Sequence, residues 1–246
     1  MDVTEKALQL KQDFDDVKAA GYIKGEEIGH SQGYVNGRQD EQDRFWNEFQ
    51  DYGKREYYPY AFSGWTDDIY NPKHPVIVGA IGTNYSTGLF MYSKITKKIG
   101  PELVWKSYSA QACFMQSAAE EIEVDFSARN GAPVTMQNTF HTANAHTIKL
   151  KNGVFTYCTY TFLSCSNLVN LILENCVFKA QGSANFRCDN AKLTKESLIG
   201  LFNSLEDLTA EGASATTQTL NIGATNLAKL TTEEKQIATN KGWTLI

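Results

Sequence analysis

The chain has 246 residues, 42% of them hydrophobic and 21% charged, with a formal net charge of −5. That composition is ordinary for a globular protein and excludes global disorder. A pI near 5.4 also argues against a nucleic-acid binder, which needs a dense basic face to neutralise phosphates.

The N-terminal residues are charged and lack the apolar core of a signal peptide. No stretch approaches the ~20 apolar residues of a membrane span. The expectation is a protein made in the cytoplasm, with cell lysis as one route out, and not inserted in a membrane. Val3, Ala7, Leu10, Phe14, Val17 and Gly21 alternate spacings of four and three, the seam of a short coiled coil. A single amphipathic helix lying on its own domain has the same pattern.

Gly21, Gly25, Gly29, Gly33 and Gly37 then recur at every fourth position. On a helix they form a slowly winding groove, at ~1 kcal/mol each relative to alanine. Close approach of a second helix along that groove offsets the cost; a flexible glycine-rich loop is the competing reading. Phe45, Trp46 and Phe49 continue an apolar face. Residues 1–50 are expected to form a helical stalk that assembles identical chains, with a trimer favoured.

Ten of the 29 aromatic residues lie between Phe45 and Tyr70. Aromatic rings stack on sugars, but they equally seal the open end of a stacked fold, which is the favoured reading of residues 51–110. Pro72 and Pro75 break the chain before Val76–Val78, read as a strand followed by a turn. Gly79, Gly82 and Gly88 match neither spacing of a phosphate loop. Lys94, Lys97, Lys98 and Lys106, interrupted by Glu102, read as solvated surface.

Repetition begins beyond residue 110. In "TFLSCSNLVNLIL", Phe162, Cys165, Leu168, Leu171 and Leu173 follow F-x2-C-x2-L-x2-L-x-L. Weaker copies run from Phe140 to Ile148 and Leu150, and from Phe114 to Ile122 and Val124. Their paired strand positions recur after 26 and then 23 residues, within the range of leucine-rich repeats. Alternation with Ile122 and Val124 places Glu121, Glu123 and Asp125 on the outer face of a strand. "NFRC" at 185–188 is a shorter last copy.

Leu198, Leu201, Phe202 and Leu205 then mark an amphipathic helix. Thr231 and Glu234 form a capping box for a second helix, which stops at Asn240, Lys241 and Gly242. "TLNI" and "TLI" read as short strands.

The chemistry-bearing residues are sparse. Cys113, Cys158, Cys165, Cys176 and Cys188 are spaced too widely for a zinc knuckle and read as buried, reduced thiols. His141 and His146 lack the spacing of metal ligands on a helix and read as turn residues. No catalytic, metal or cofactor site is expected, and no cofactor.

The repeat pattern and the ending resemble leucine-rich repeats of the Bacteroides-surface-protein-A type, over residues 111–246. "GYxxGxxxGxxxGYxxG", "DRFWNEFQ" and "YAFSGWTDDIYNPK" are similar to segments that precede such repeats in prophage-encoded proteins. The resemblance implies an α+β protein with a helical stalk (1–50), an aromatic cap (51–110), a leucine-rich-repeat-type β-solenoid (111–190) and a small C-terminal α/β cap (191–246). It further implies a non-enzymatic phage tail-fibre or virion protein. Such a protein assembles in the host cytoplasm, joins other tail proteins through its N-terminal helix, and contacts a host-surface glycan or protein. A bacterial scaffold or adhesin, in the cytoplasm or at the cell surface, is the alternative, and a carbohydrate-active enzyme a more distant one. Tyr157 and Tyr160 are candidate contributors to a binding face.

Overall fold

The spacing that pairs Ile122 with Val124, Ile148 with Leu150 and Leu171 with Leu173 is a strand spacing, one face in and one face out. The computed structural model describes residues 66–67, 76–78, 88–180 and 186–246, and within them these pairs are in register. Strands β1 (Val76–Val78), β2 (Lys98–Ile99), β3 (Leu103–Trp105), β4 (Glu121–Asp125), β6 (Thr147–Lys151) and β8 (Asn170–Glu174) form one parallel sheet. Ile122, Ile148 and Leu171 lie opposite one another, as do Val124, Leu150 and Leu173. A second parallel sheet contains β5 (Val134–Thr135), β7 (Val154–Thr156) and β9 (Val177–Phe178). A third contains β10 (Phe186–Arg187), β11 (Gln218–Asn221) and β12 (Trp243–Leu245).

Among the described residues three α-helices accompany the sheets: α1 (Lys195–Asn203), α2 (Gly223–Leu227) and α3 (Thr232–Thr239). The expected class, α+β with a helical stalk, a leucine-rich-repeat-type solenoid and an α/β cap, is therefore corrected to an α/β arrangement of parallel sheets with three short helices. The physical reason lies in the connections. Each strand returns to the same end before the next begins, so every pairing between named strands is parallel and no hairpin joins them. Within 111–190 the interior is also built on phenylalanine more than on leucine, with seven buried phenylalanines against three buried leucines. The stalk itself, 1–50, and most of the aromatic segment lie outside the described residues.

Two aromatic columns run through one core. Phe90, Phe114, Phe140 and Phe162 stack nearly face to face, with centroids 5.3, 5.2 and 5.5 Å apart. Trp105, Phe126, Phe155, Phe178, Phe186 and Trp243 form the second, at 4.9–6.3 Å. These separations start at the 4.7–4.9 Å spacing of neighbouring strands: four successive layers contribute one ring to each column, and Phe186 and Trp243 extend the second alone. Offset aromatic pairs add about 0.5–1.5 kcal/mol each beyond their burial. The side chains expected to share an interior, Phe140, Ile148, Phe162 and Leu171, all belong to this one core.

The terminal elements follow their sequence signals. Leu198, Leu201, Phe202 and Leu205 are buried, and α1 lies along β8, where the Leu171 amide donates to the Ser197 hydroxyl at 2.9 Å. Lys241 Nζ donates to the carbonyls of Phe202, Asn203 and Leu205 at 3.0, 2.8 and 2.9 Å, satisfying the end of that helix. Thr231 and Glu234 form the capping box of α3, and Gly242 takes the left-handed turn (φ 83°) after it.

Candidate functional site

Between the second and first sheets, each layer passes through a strip of tight turns: residues 88–93, 110–117, 136–143 and 157–165. The backbone there alternates two hydrogen-bond roles. The amides of Ala112, Phe114 and Gln116 donate to carbonyls of the next layer, at Gln137, Thr139 and His141, whereas those of Cys113, Met115 and Ser117 close turns three residues back. The same alternation recurs in the layer that starts at Met136.

This geometry requires left-handed residues at two positions per layer. One column is Gly88, Ala112, Asn138 and Tyr160 (φ 70, 54, 55 and 55°), the other Tyr92, Gln116, Thr142 and Ser164 (φ 60, 56, 57 and 59°). The phenylalanine column points inward between them, and Met91, Met115, His141 and Leu163 form a half-buried outward column.

Tyr157 interrupts the register. The Met136 amide donates to Thr156 O and that of Asn138 to Thr159 O, so two steps on one layer face three on the next. The extra residue is a bulge, a device that re-aims a side chain. Tyr157 has φ 49° and is 55% exposed, the most exposed large hydrophobic side chain among the described residues.

The chemistry of the strip is distinctive. None of its four segments contains Asp, Glu, Lys or Arg, in a chain that is 21% charged. Among the described residues every phenylalanine and tryptophan is buried, while Tyr92, Tyr108 and Tyr157 are exposed and Tyr160 is half-buried.

The outer face of the first sheet differs. Lys98 pairs with Glu121 at 3.4 Å and Glu123 at 3.2 Å, Lys151 with Glu123, and Lys149 with Glu174 at 2.6 Å. Burial raises the Glu123 carboxyl, but hydrogen bonds and charge from Lys151 and Lys98 outweigh it and hold the group below its ordinary value. Asparagines follow the strands at one corner: Asn175 donates to Asn152 at 3.2 Å, and Asn152 to Asp125 at 3.0 Å. These charges and amides are satisfied by one another.

The five cysteines are buried and free. Burial pushes the Cys113 and Cys165 thiols up to about 12 and the Cys176 thiol up to about 11, which disfavours the nucleophilic thiolate. Cys165 Sγ donates to Phe140 O at 2.9 Å. Among the described residues there is no group of three metal-ligating side chains and no helix long and apolar enough to cross a membrane.

No family model, curated protein or solved structure matches the chain.

The coiled-coil seam (Val3, Ala7, Leu10, Phe14, Val17) and the glycine stripe (Gly21, Gly25, Gly29, Gly33, Gly37) lie outside the described residues. Glu121, Glu123 and Asp125 face outward as expected. His141 stands half-buried in the strip and His146 is exposed beside it. Tyr157 and Tyr160 do sit together on the strip, but Met91, Tyr92, Met115 and Leu163 were not singled out. The signal for them is a set of uncharged runs, from Pro75 to Ser93, from Ser107 to Ala119 and from Asn152 to Leu173.

Proposed function

We propose that this chain is a non-enzymatic contact protein of a phage tail or virion, which attaches to a host surface through the turn strip. One observation carries the contact role: four successive layers hold a surface free of formal charge, bearing tyrosine and methionine, on a rigid stacked core. Interface centres are depleted of charge and enriched in tyrosine and methionine relative to the remaining surface. Tyrosine also brings a large contact area at low entropic cost. The assignment to a virion rests on the sequence resemblance described above.

Adsorption of the fluorescently labelled full chain to host cells tests the reading, alongside detection of the polypeptide in purified phage particles. Met115→Glu, which places a carboxylate in the middle of the strip, is expected to lower adsorption at least tenfold. Equal adsorption by the charged variant, or absence of the chain from particles, would overturn the proposal.

A further inference from the structure

The turn strip offers more than uncharged area, because its outward side chains are sorted by column. Met91, Met115, His141 and Leu163 make a stripe one side chain wide. Amides and hydroxyls flank it along the chain in the second and third layers, Gln111, Gln137 and Asn138 before it and Gln116 and Thr142 after it, and Ser164 follows it in the fourth; the Thr142 hydroxyl donates to His141 O at 2.6 Å and keeps its acceptor side. All six are partly or fully exposed. An amide carries both donors and an acceptor, and a hydroxyl is both at once, so these margins match a partner rich in hydroxyl groups.

The tyrosines stand where the backbone alone would not put them. Left-handed φ costs a non-glycine residue roughly 1–2 kcal/mol, and asparagine tolerates it best. At one position of the strip Asn138 occupies this conformation, while the next layer has Tyr160 in its place. The other left-handed column reads Gln116, Thr142 and Ser164 in three layers and Tyr92 in the first. Tyr92 and Tyr160 therefore sit three layers apart, roughly 14 Å along the stacking direction at the spacing of neighbouring strands, at opposite ends and on opposite margins of the stripe. The Tyr157 bulge adds a third ring beside Tyr160.

At the Tyr160 end of the strip the neighbouring charges are paired within the chain. Arg187 donates to Asp189 at 3.0 and 2.8 Å, and Lys179 pairs with Glu206 at 3.5 Å. An anionic partner would meet these two cations already paired. A protein partner of standard size buries about 800 Å² on each side, whereas this stripe is one residue wide between amide and hydroxyl margins. A pyranose chain is complementary in kind: its rings present C–H faces toward tyrosine and methionine, and its rim presents uncharged hydroxyls.

We propose that the strip binds an uncharged polysaccharide, laid along the stacking direction over Met115 and Leu163 with Tyr92 and Tyr160 as its end platforms. The inference deepens the contact role proposed above and names its ligand class.

The test uses the full chain in titration calorimetry against soluble dextran, laminarin and yeast mannan, with heparin as the charged comparison. At least one neutral glycan is expected to bind and heparin not to. Met115→Glu and Leu163→Glu are each expected to weaken that binding tenfold or more without lowering Tm. Tyr160→Asn, which suits the left-handed backbone, separates loss of the ring from loss of the fold.

In parallel, adsorption to host cells is measured after periodate or protease treatment of the cells. Abolition by periodate alone supports the proposal. Binding of heparin in place of the neutral glycans, glycan binding unchanged in both glutamate variants, or adsorption abolished by protease and not by periodate overturns it. The attachment role and the ligand class fail separately: glycan binding without cell adsorption removes the former, and protease-sensitive adsorption removes the latter.

Discussion

The outer face of the first sheet and the turn strip are built on the same layers and the same core, yet they spend their polar groups in opposite ways. On the sheet, Lys98, Glu121, Glu123, Lys149, Lys151 and Glu174 pair across neighbouring strands, so the charges are occupied with one another. On the strip no formal charge is present, and the outward amides, hydroxyls and tyrosine rings lie at left-handed or turn positions that the core does not need them to fill. Like charges directly opposite on adjacent strands destabilise a sheet, and opposite ones stabilise it. The sheet face is thus stabilised by its own charge pairing, while the strip has no charge pairs of this kind.

The largest expected effect removes what the two faces share. Phe140 stacks on Phe114 and Phe162 beneath the strip and is fully buried. Phe140→Ala is expected to cost about 3–5 kcal/mol in chemical denaturation, lowering the stability of both faces together. A loss below about 1 kcal/mol would mean that the layers do not act as one core.

A smaller effect separates the faces. Glu123→Gln removes both ion pairs to Lys98 and Lys151 and is expected to cost about 1 kcal/mol at neutral pH, with strip binding unchanged. Because the folded Glu123 carboxyl lies below its ordinary value of 4.5, its contribution is complete above that value and is lost as pH falls through the folded pKa. The variant is expected to show a shallower decline of stability below pH 4.5, and an unchanged acid profile would exclude this role.

The smallest effect falls on the strip alone. Tyr160→Asn places a residue tolerant of φ 55° where tyrosine stands, so stability is expected to change by a few tenths of a kcal/mol at most, or to rise slightly. Any loss of contact then reports on the ring, and a large destabilisation would show instead that Tyr160 serves the fold.

Much of this arrangement was legible in the residues. The spacings of Ile122 and Val124, Ile148 and Leu150, and Leu171 and Leu173 located three successive strands. Thr231 and Glu234 located the start of the last helix, because a capping box is a local device. Outward placement of Glu121, Glu123 and Asp125 followed from the two-residue period of a strand. The class did not follow. Local periodicity says which face of a strand is buried but not which strand lies beside it, and α+β gave way to parallel sheets only when the pairings were known. The second aromatic column was equally hidden, since Trp105, Phe126, Phe155 and Phe178 lie at unequal intervals, set by corners of different length.

The sequence by itself determined which residues are oily, which are charged and where the backbone must turn, because hydrophobic period, capping and turn chemistry act over a few residues. The repeat aligned Phe114, Phe140 and Phe162, but only the tertiary structure decided that Asn138 and Tyr160 share a left-handed backbone and that Met115 and Leu163 share one outward column. That equivalence arises from hydrogen bonds between layers more than twenty residues apart in the chain, so an uncharged run in sequence becomes a continuous uncharged surface only after the layers have stacked.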